Sequence, residues 1–259
     1  ATRSNLMSVA TTLAANIDAT QDYIPVASTA NFSTSVVAEV ESTNEVVSFS
    51  DISENLFKDS EQFNNAYWTK IGGAITADST TAPDGTTTAD KFISTDTSGT
   101  YFAVKPATAT PGQPYIVSIY AKAGDTDSLR ITNVSSGATA AWFDLTNGTI
   151  GTQNDTAGSG NTSTITDVGN GWYKCTRTFP VTIDNATNYF LFGNNSGDNA
   201  TTAPGSNKFI YVWGAQVENG TTLSTYLPTT SAPLVGLTGV TRGANGTTAA
   251  SATSGDSIQ

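Results

Sequence analysis

Short apolar runs of β-branched and aromatic residues, cut by turn-forming clusters, set the pattern of this chain. PYIVSIYAKA (114–123), SLRITNV (128–134), AAWFDL (140–145), GWYKCTRTF (171–179), NYFLFG (188–193) and KFIYVWGAQVE (208–218) each have the composition of a strand. Weaker runs lie at 68–76, 88–93, 100–104 and 164–168. Between them stand PDGTT, AGDTDS, TNGT, NNSGDN and APGSN, whose Pro, Gly, Asn and Asp suit tight turns. No amphipathic helical period runs through this stretch. Roughly ten strands over about 175 residues predict an all-β jelly-roll sandwich of two antiparallel sheets.

The flanks have a sparser texture. Residues 1–15 carry only a few apolar points (Leu6, Val9, Leu13) and read as an extended arm or short helix ordered against a neighbour. Tyr23-Ile24-Pro25-Val26 is an extended run whose proline suits an edge strand. VVAEV and EVVSFS, joined by Ser42-Thr43-Asn44, form a hairpin. That hairpin lacks a closing strand, and past Pro228 LVGLTGVTRG has the apolar β character to supply it. The expected organisation is one small discontinuous β domain, 16–53 with 232–259, into which a sandwich at 55–229 is inserted. Domain termini commonly lie close together, which makes such an insertion physically easy.

Charge narrows the partners. The chain has 11 basic against 22 acidic residues and a net charge of −11, so it lacks the clustered cations that bind a phosphate backbone. No nucleic acid is expected as a partner. No run approaches the roughly 18 apolar residues of a membrane span, and the opening ATRSNLMSVATTLA is too polar for a secretory signal. Residence in the cytosol of a producing cell, without membrane insertion, follows as the expectation. Cys175 is the single cysteine and reads as a small buried hydrophobe. Histidine is absent, which removes the usual general base and every Ser-His or Cys-His nucleophile. Paired carboxylates remain as the main catalytic option, and they would have to stand about 5–9.5 Å apart in a cleft. The expectation is a protein that is not an enzyme.

Trp68, Trp172 and Trp213 sit in or beside strands, where a tryptophan fills much of the ~10 Å gap between two sheets. A glycan surface needs aromatic faces with amides and carboxylates nearby. Trp142, Tyr101, Tyr120 and Tyr189 are the candidate platforms, Trp142 first because GATAAWFDLTNG sets it among small residues near a turn. Strand alternation makes each equally a candidate for the core. For a hard cation such as calcium, GDTDS offers Asp125 and Asp127; as plain turn aspartates they need no metal.

Both parts resemble modules of tailed-bacteriophage virion proteins. In the outer part the resemblance rests on IDATQDYIPVAST, NEVVSFSDIS and LTGVTRGANGTTAASATSGDSI; phage proteins often carry a histidine after the TTAA stretch, where this chain has Ser251. In the insert it rests on NLFKDSEQFNNAYWTK, TAPDGTTTADKF, YIVSIYAKAG, GNGWYKCTRTF and YVWGAQVENGTTLSTYLPT, which are similar to carbohydrate-binding-module-like jelly rolls. The resemblance implies a structural protein on the virion surface, a capsid decoration or tail-fibre component, bound to other virion proteins and assembled as a homotrimer. The alternative it implies is a tail module that recognises host-surface glycan. It further implies a structural calcium between first and last strands, at Glu61 and Glu218, although Gln216 stands where related chains often have an acid.

Overall fold

The computed structural model describes residues 11–27, 37–95, 98, 99, 101–104, 113–133, 139–155, 160–179, 190–252, 257 and 258. The fold is all-β, with antiparallel sheets of the sandwich or jelly-roll class. Two compact units divide the chain. The smaller comprises Ala1–Asn55, Ser224–Leu227 and Pro233–Gln259, and the larger Leu56–Leu223 with Pro228–Ala232.

The smaller unit begins with β1 (Thr11–Thr12), β2 (Ile24–Val26), β3 (Val37–Val40), β4 (Glu45–Ser48) and β5 (Asp51–Asn55). The larger holds β6 (Thr69–Ile71), β7 (Gly73–Thr80), β8 (Ala89–Ser94), β9 (Tyr101–Val104), β10 (Tyr115–Ala123) and β11 (Ser128–Asn133). It continues through β12 (Thr139–Asp144), β13 (Thr149–Asn154), β14 (Thr162–Gly169), β15 (Trp172–Phe179), β16 (Phe190–Asn195) and β17 (Phe209–Asn219). The chain then returns to the smaller unit for β18 (Leu234–Thr238) and β19 (Ser257–Ile258).

In the smaller unit the sheets run β1-β19-β3-β4 and β2-β18-β5. Leu13, Ile17, Ile24, Val26, Ala38, Val40, Val47, Phe49, Leu237 and Ala252 form its core. Residues 11–17, at and just beyond the end of the expected arm, are therefore part of this unit, through β1, Leu13 and Ile17. Strand β18 lies between β2 and β5, with Gly236 opposite both Pro25 and Ser53. A side chain there would come within 2.9 Å of the Ile24 carbonyl oxygen, so this close strand approach requires glycine. The exit from the insert is tied down by Asn55, whose amide donates to the Leu227 carbonyl at 2.9 Å, and by Asp51, which accepts from the Thr225 N–H at 2.8 Å.

The larger unit stacks two six-stranded sheets, β14-β15-β10-β17-β8-β7 and β13-β12-β11-β16-β9-β6. We refer to them as the β10 sheet and the β11 sheet. Leu129, Ile131, Phe143, Phe190 and Phe192 of the β11 sheet meet Val117, Ile119, Cys175, Ile210 and Val212 of the β10 sheet in one core. Trp68 lies within it, edge-on to Phe57 at 5.1 Å, with its indole N–H donating to the Asp59 carbonyl at 2.9 Å. Trp172 and Trp213 are buried as expected, at 1% and 4% exposure, though not in the gap between the sheets. They sit on strands whose alternate residues, Cys175 and Val212, already face the other sheet. Their indole N–H groups donate instead to the Thr81 carbonyl and the Thr88 hydroxyl, beside the β7–β8 turn. The Pro83-Asp84-Gly85 turn closes with φ +89° at Gly85.

A bulge opposite Ser118 to Tyr120, at Gly214-Ala215 with φ +59° at Gly214, shifts the register of β17 against β10. Strand β13 was not foreseen, because TIGTQN is polar and lies at a sheet edge where one apolar point, Ile150, suffices. Arg177 projects from the inward face of β15, fully buried, and pairs with Asp155 while donating to Ser163 and Gln153.

Candidate functional site

The face of the β11 sheet turned away from the core carries a polar and aromatic row. Leu129 and Ile131 point inward, so Ser128, Arg130 and Thr132 point outward. Register places Tyr101 opposite Gly193, Gly193 opposite Arg130, and Arg130 opposite Trp142. Tyr101 and Trp142, far apart in sequence, therefore occupy one row across four strands, with side-chain-free Gly193 between. The next row holds Thr132 between Leu191 and Ala140. The Arg130 guanidinium lies over the Trp142 ring, 5.9 Å from its centroid.

Trp142 itself is buried, at 2% exposure, and its indole N–H donates to the Ala200 carbonyl at 2.7 Å. It is not a bare stacking platform. Thr132 and Asn195 are buried beside it on the same face, at 3% and 1% exposure. Among the described residues, neither the Thr132 hydroxyl nor the Asn195 amide oxygen has a hydrogen-bond partner. Arg130, Thr132 and Asn195 were missed from the sequence. The signal was there in the polar alternation of SLRITN, set against apolar Leu129 and Ile131.

At one end of this row lies a shallow cleft of about 80 Å³, lined by Trp142, Ser128, Asp127, Asp144 and Asp198. Its carboxylates are engaged as turn acceptors. Asp144 accepts the Asn147 side-chain amide at 2.8 Å and the N–H groups of Asn147 and Thr146, each at 2.9 Å; burial pushes its pKa up, but these bonds together outweigh burial and hold it below the usual range. Asp198 accepts from the Thr152 N–H at 2.7 Å and is lowered chiefly by that bond. Asp127 accepts the Thr146 hydroxyl at 3.0 Å.

The other sequence candidates are dispersed. Tyr120 belongs to the β10 sheet, half-buried, edge-on to Trp213 at 5.2 Å. Tyr189 lies outside the described residues. Asp125 follows β10, whereas Glu218 pairs with Ile116 near its start, roughly 30 Å away at about 3.3 Å per residue. Glu218 accepts from the Gln216 amide at 2.6 Å, so the glutamine where related chains often carry an acid is a donor to the neighbouring carboxylate. Among the described residues no group of three or more His, Cys, Asp or Glu side chains is placed to hold a metal ion.

No protein-family model matches the chain, and no curated protein matches it in sequence. Among solved structures it is similar to the enzymatically active domain of bacteriophage CBA120 tailspike protein 4, with a TM-score of 0.25 and 13% identity over 73% of this chain. The chain spans 21% of that structure's length. The expectation that this protein is not an enzyme is corrected here: the phage structure just described is an enzymatically active domain. Lack of histidine does not exclude catalysis by carboxylates. A likeness this slight transfers neither substrate nor mechanism.

Proposed function

We propose that this chain is a structural protein of a phage particle, anchored by its smaller β unit and displaying the sandwich on the virion surface as a decoration or fibre component. The supporting observation is the way the sandwich is spliced in. It leaves after β5 and returns before β18, and these neighbouring antiparallel strands hold Asn55 opposite Leu234. An insert entered and left at one point of an anchor is a display arrangement. The anchor has its own core, so it does not depend on the insert for burial. Other virion proteins are the partners, a homotrimer is the proposed assembly, and addition to a sheet edge of the smaller unit is the proposed mode of attachment.

A second reading, glycan recognition at the host surface, draws on the row from Tyr101 to Trp142. That row sets the Arg130 guanidinium over the Trp142 ring, at the edge of a cleft lined by Asp127, Asp144 and Asp198, groups of the kind that bind sugar hydroxyls.

Gold-labelled antibody against the chain, applied to intact particles, tests the proposal. Label over the head makes it a decoration protein, and label on the tail favours glycan recognition. Absence of label from every particle overturns the virion reading.

A further inference from the structure

The outward face of the β10 sheet gathers cations in a way the composition conceals. Register sets Tyr120 between Lys174 and Trp213, and Lys122 opposite Tyr211, which in turn faces Lys91. Three of the seven lysines of a chain with net charge −11 thus share one face with five aromatic residues, counting Trp172 opposite Lys122 and Phe209 two positions before Tyr211. Adjacent strands lie about 4.8 Å apart, so Lys91 and Lys122 stand roughly 10 Å from each other across Tyr211.

What holds these lysines is as informative as where they are. Arg177 and Arg242 are in ion pairs with Asp155 and Glu45. Among the described residues, Lys91, Lys122 and Lys174 form no ion pair. Lys91 lies over the Phe209 ring at 3.6 Å, Lys174 over the Tyr120 ring at 5.6 Å, and Lys122 donates to the Asn170 carbonyl at 2.7 Å. Burial lowers the Lys174 pKa and Glu218 opposes that from beyond ion-pair distance. Six of these eight side chains are half-buried rather than enclosed, and only Trp172 and Trp213 are fully buried. Phe209 also leaves no room for a side chain at Gly124, where a Cβ would fall 2.4 Å from its ring, so the aromatic edge of the patch is fixed.

We infer that this face binds an anionic polysaccharide, its carboxylate or phosphate groups meeting Lys91, Lys122 and Lys174 and its sugar rings lying against Tyr120, Tyr211 and Phe209. An anion offers each ammonium the acidic partner that the described residues do not supply. The alternation of cation and ring suits a polymer that alternates charge with apolar ring faces. This goes beyond the virion reading and uses the opposite sheet from the Tyr101–Trp142 row.

The test is retention of the full chain on immobilised polygalacturonate, wall teichoic acid and neutral dextran, at low and at physiological salt. The expected result is retention by polygalacturonate or teichoic acid and not by dextran, weakened by salt. Which polymer holds the chain tells whether carboxylate or phosphate is the recognised group. The K91Q/K122Q/K174Q variant should bind roughly tenfold more weakly, since its three charge contacts are lost. A K58Q/K208Q control should bind as before, and thermal unfolding of both variants checks that they fold. Equal retention by dextran, no retention by any polymer, or unchanged binding by the triple variant overturns the inference. Retention is read on the isolated chain and gold label on the particle, so each reading fails on its own.

Discussion

Glu45 in the smaller unit and Asp90 in the larger are both buried carboxylates on strands, and the two meet opposite fates. Glu45 on β4 is fully buried and receives the Arg242 guanidinium through two nitrogens at 2.7 Å, with the N–H groups of Gly243 and Ala250 at 2.9 and 3.1 Å. Burial pushes its pKa up, but Arg242 and the two N–H groups prevail and hold it below the usual range. Asp90 on β8 is also buried and accepts the N–H groups of Phe63 and Asp78 at 2.9 and 3.1 Å, without an ion pair among the described residues. Its burial prevails over those bonds and pushes the pKa up to about 6. Backbone donors alone do not offset desolvation here, and a guanidinium does. The comparison also separates two tasks. Glu45 ties the returning C-terminal segment to the hairpin, whereas Asp90 ties the turn at Phe63 and the irregular part of β7 at Asp78 to a sandwich strand.

If the units are as independent as their cores indicate, calorimetry should resolve two transitions. The largest effect expected is from Trp68→Ala, which should cost the sandwich roughly 5 kcal/mol, at the top of the range for deleting a buried aromatic, and leave the other transition in place. A shift of both transitions would show the units to be coupled. Glu45→Ala should cost the smaller unit about 3 kcal/mol, at the lower end for breaking a buried pair. The reason is that Arg242 keeps the carbonyls of Asp18 and Ala250 as acceptors.

A pH series sharpens the contrast, because the two signs differ. Glu45 has a lowered folded pKa, so its stabilisation is present above its ordinary value of 4.5 and is lost as pH falls through the folded value. Asp90 has a raised one, so the sandwich is favoured at low pH and loses stability as pH rises from about 4 to about 6. Asp90→Asn should flatten that slope, and an unchanged slope would remove Asp90 as its source. The smallest effect expected is from Asn44→Gly in the β3–β4 turn. Asn44 already sits at φ +53°, so glycine there should change stability by less than about 0.5 kcal/mol, measured on the smaller unit's transition.

Much of the sandwich was legible because its strands are long and apolar. KFIYVWGAQVE is β17 almost residue for residue, and the glycine in it does mark a bulge. The tryptophans show where that legibility ended. Period-two alternation says that Trp172 and Cys175 lie on opposite faces of β15, but not which face meets the other sheet. Trp172 is buried on the outward face, where its indole donates to the Thr81 carbonyl, so burial on either face is compatible with the pattern. The candidate row failed to appear for a related reason: Tyr101, Arg130, Trp142 and Gly193 come from four strands and meet only through register.

The sequence by itself determined that this protein is all-β, that its strands are punctuated by Gly, Asn and Asp turns, and that its flanks differ in texture from its middle. Those are local properties, carried by side-chain shape and backbone preference within a few residues. Tertiary structure alone decided which cations are paired with acids, which carboxylate is held charged and which is pushed toward neutrality, and which lysines share a face. Each of those depends on distances between residues far apart in the chain, and strand order and register set those distances.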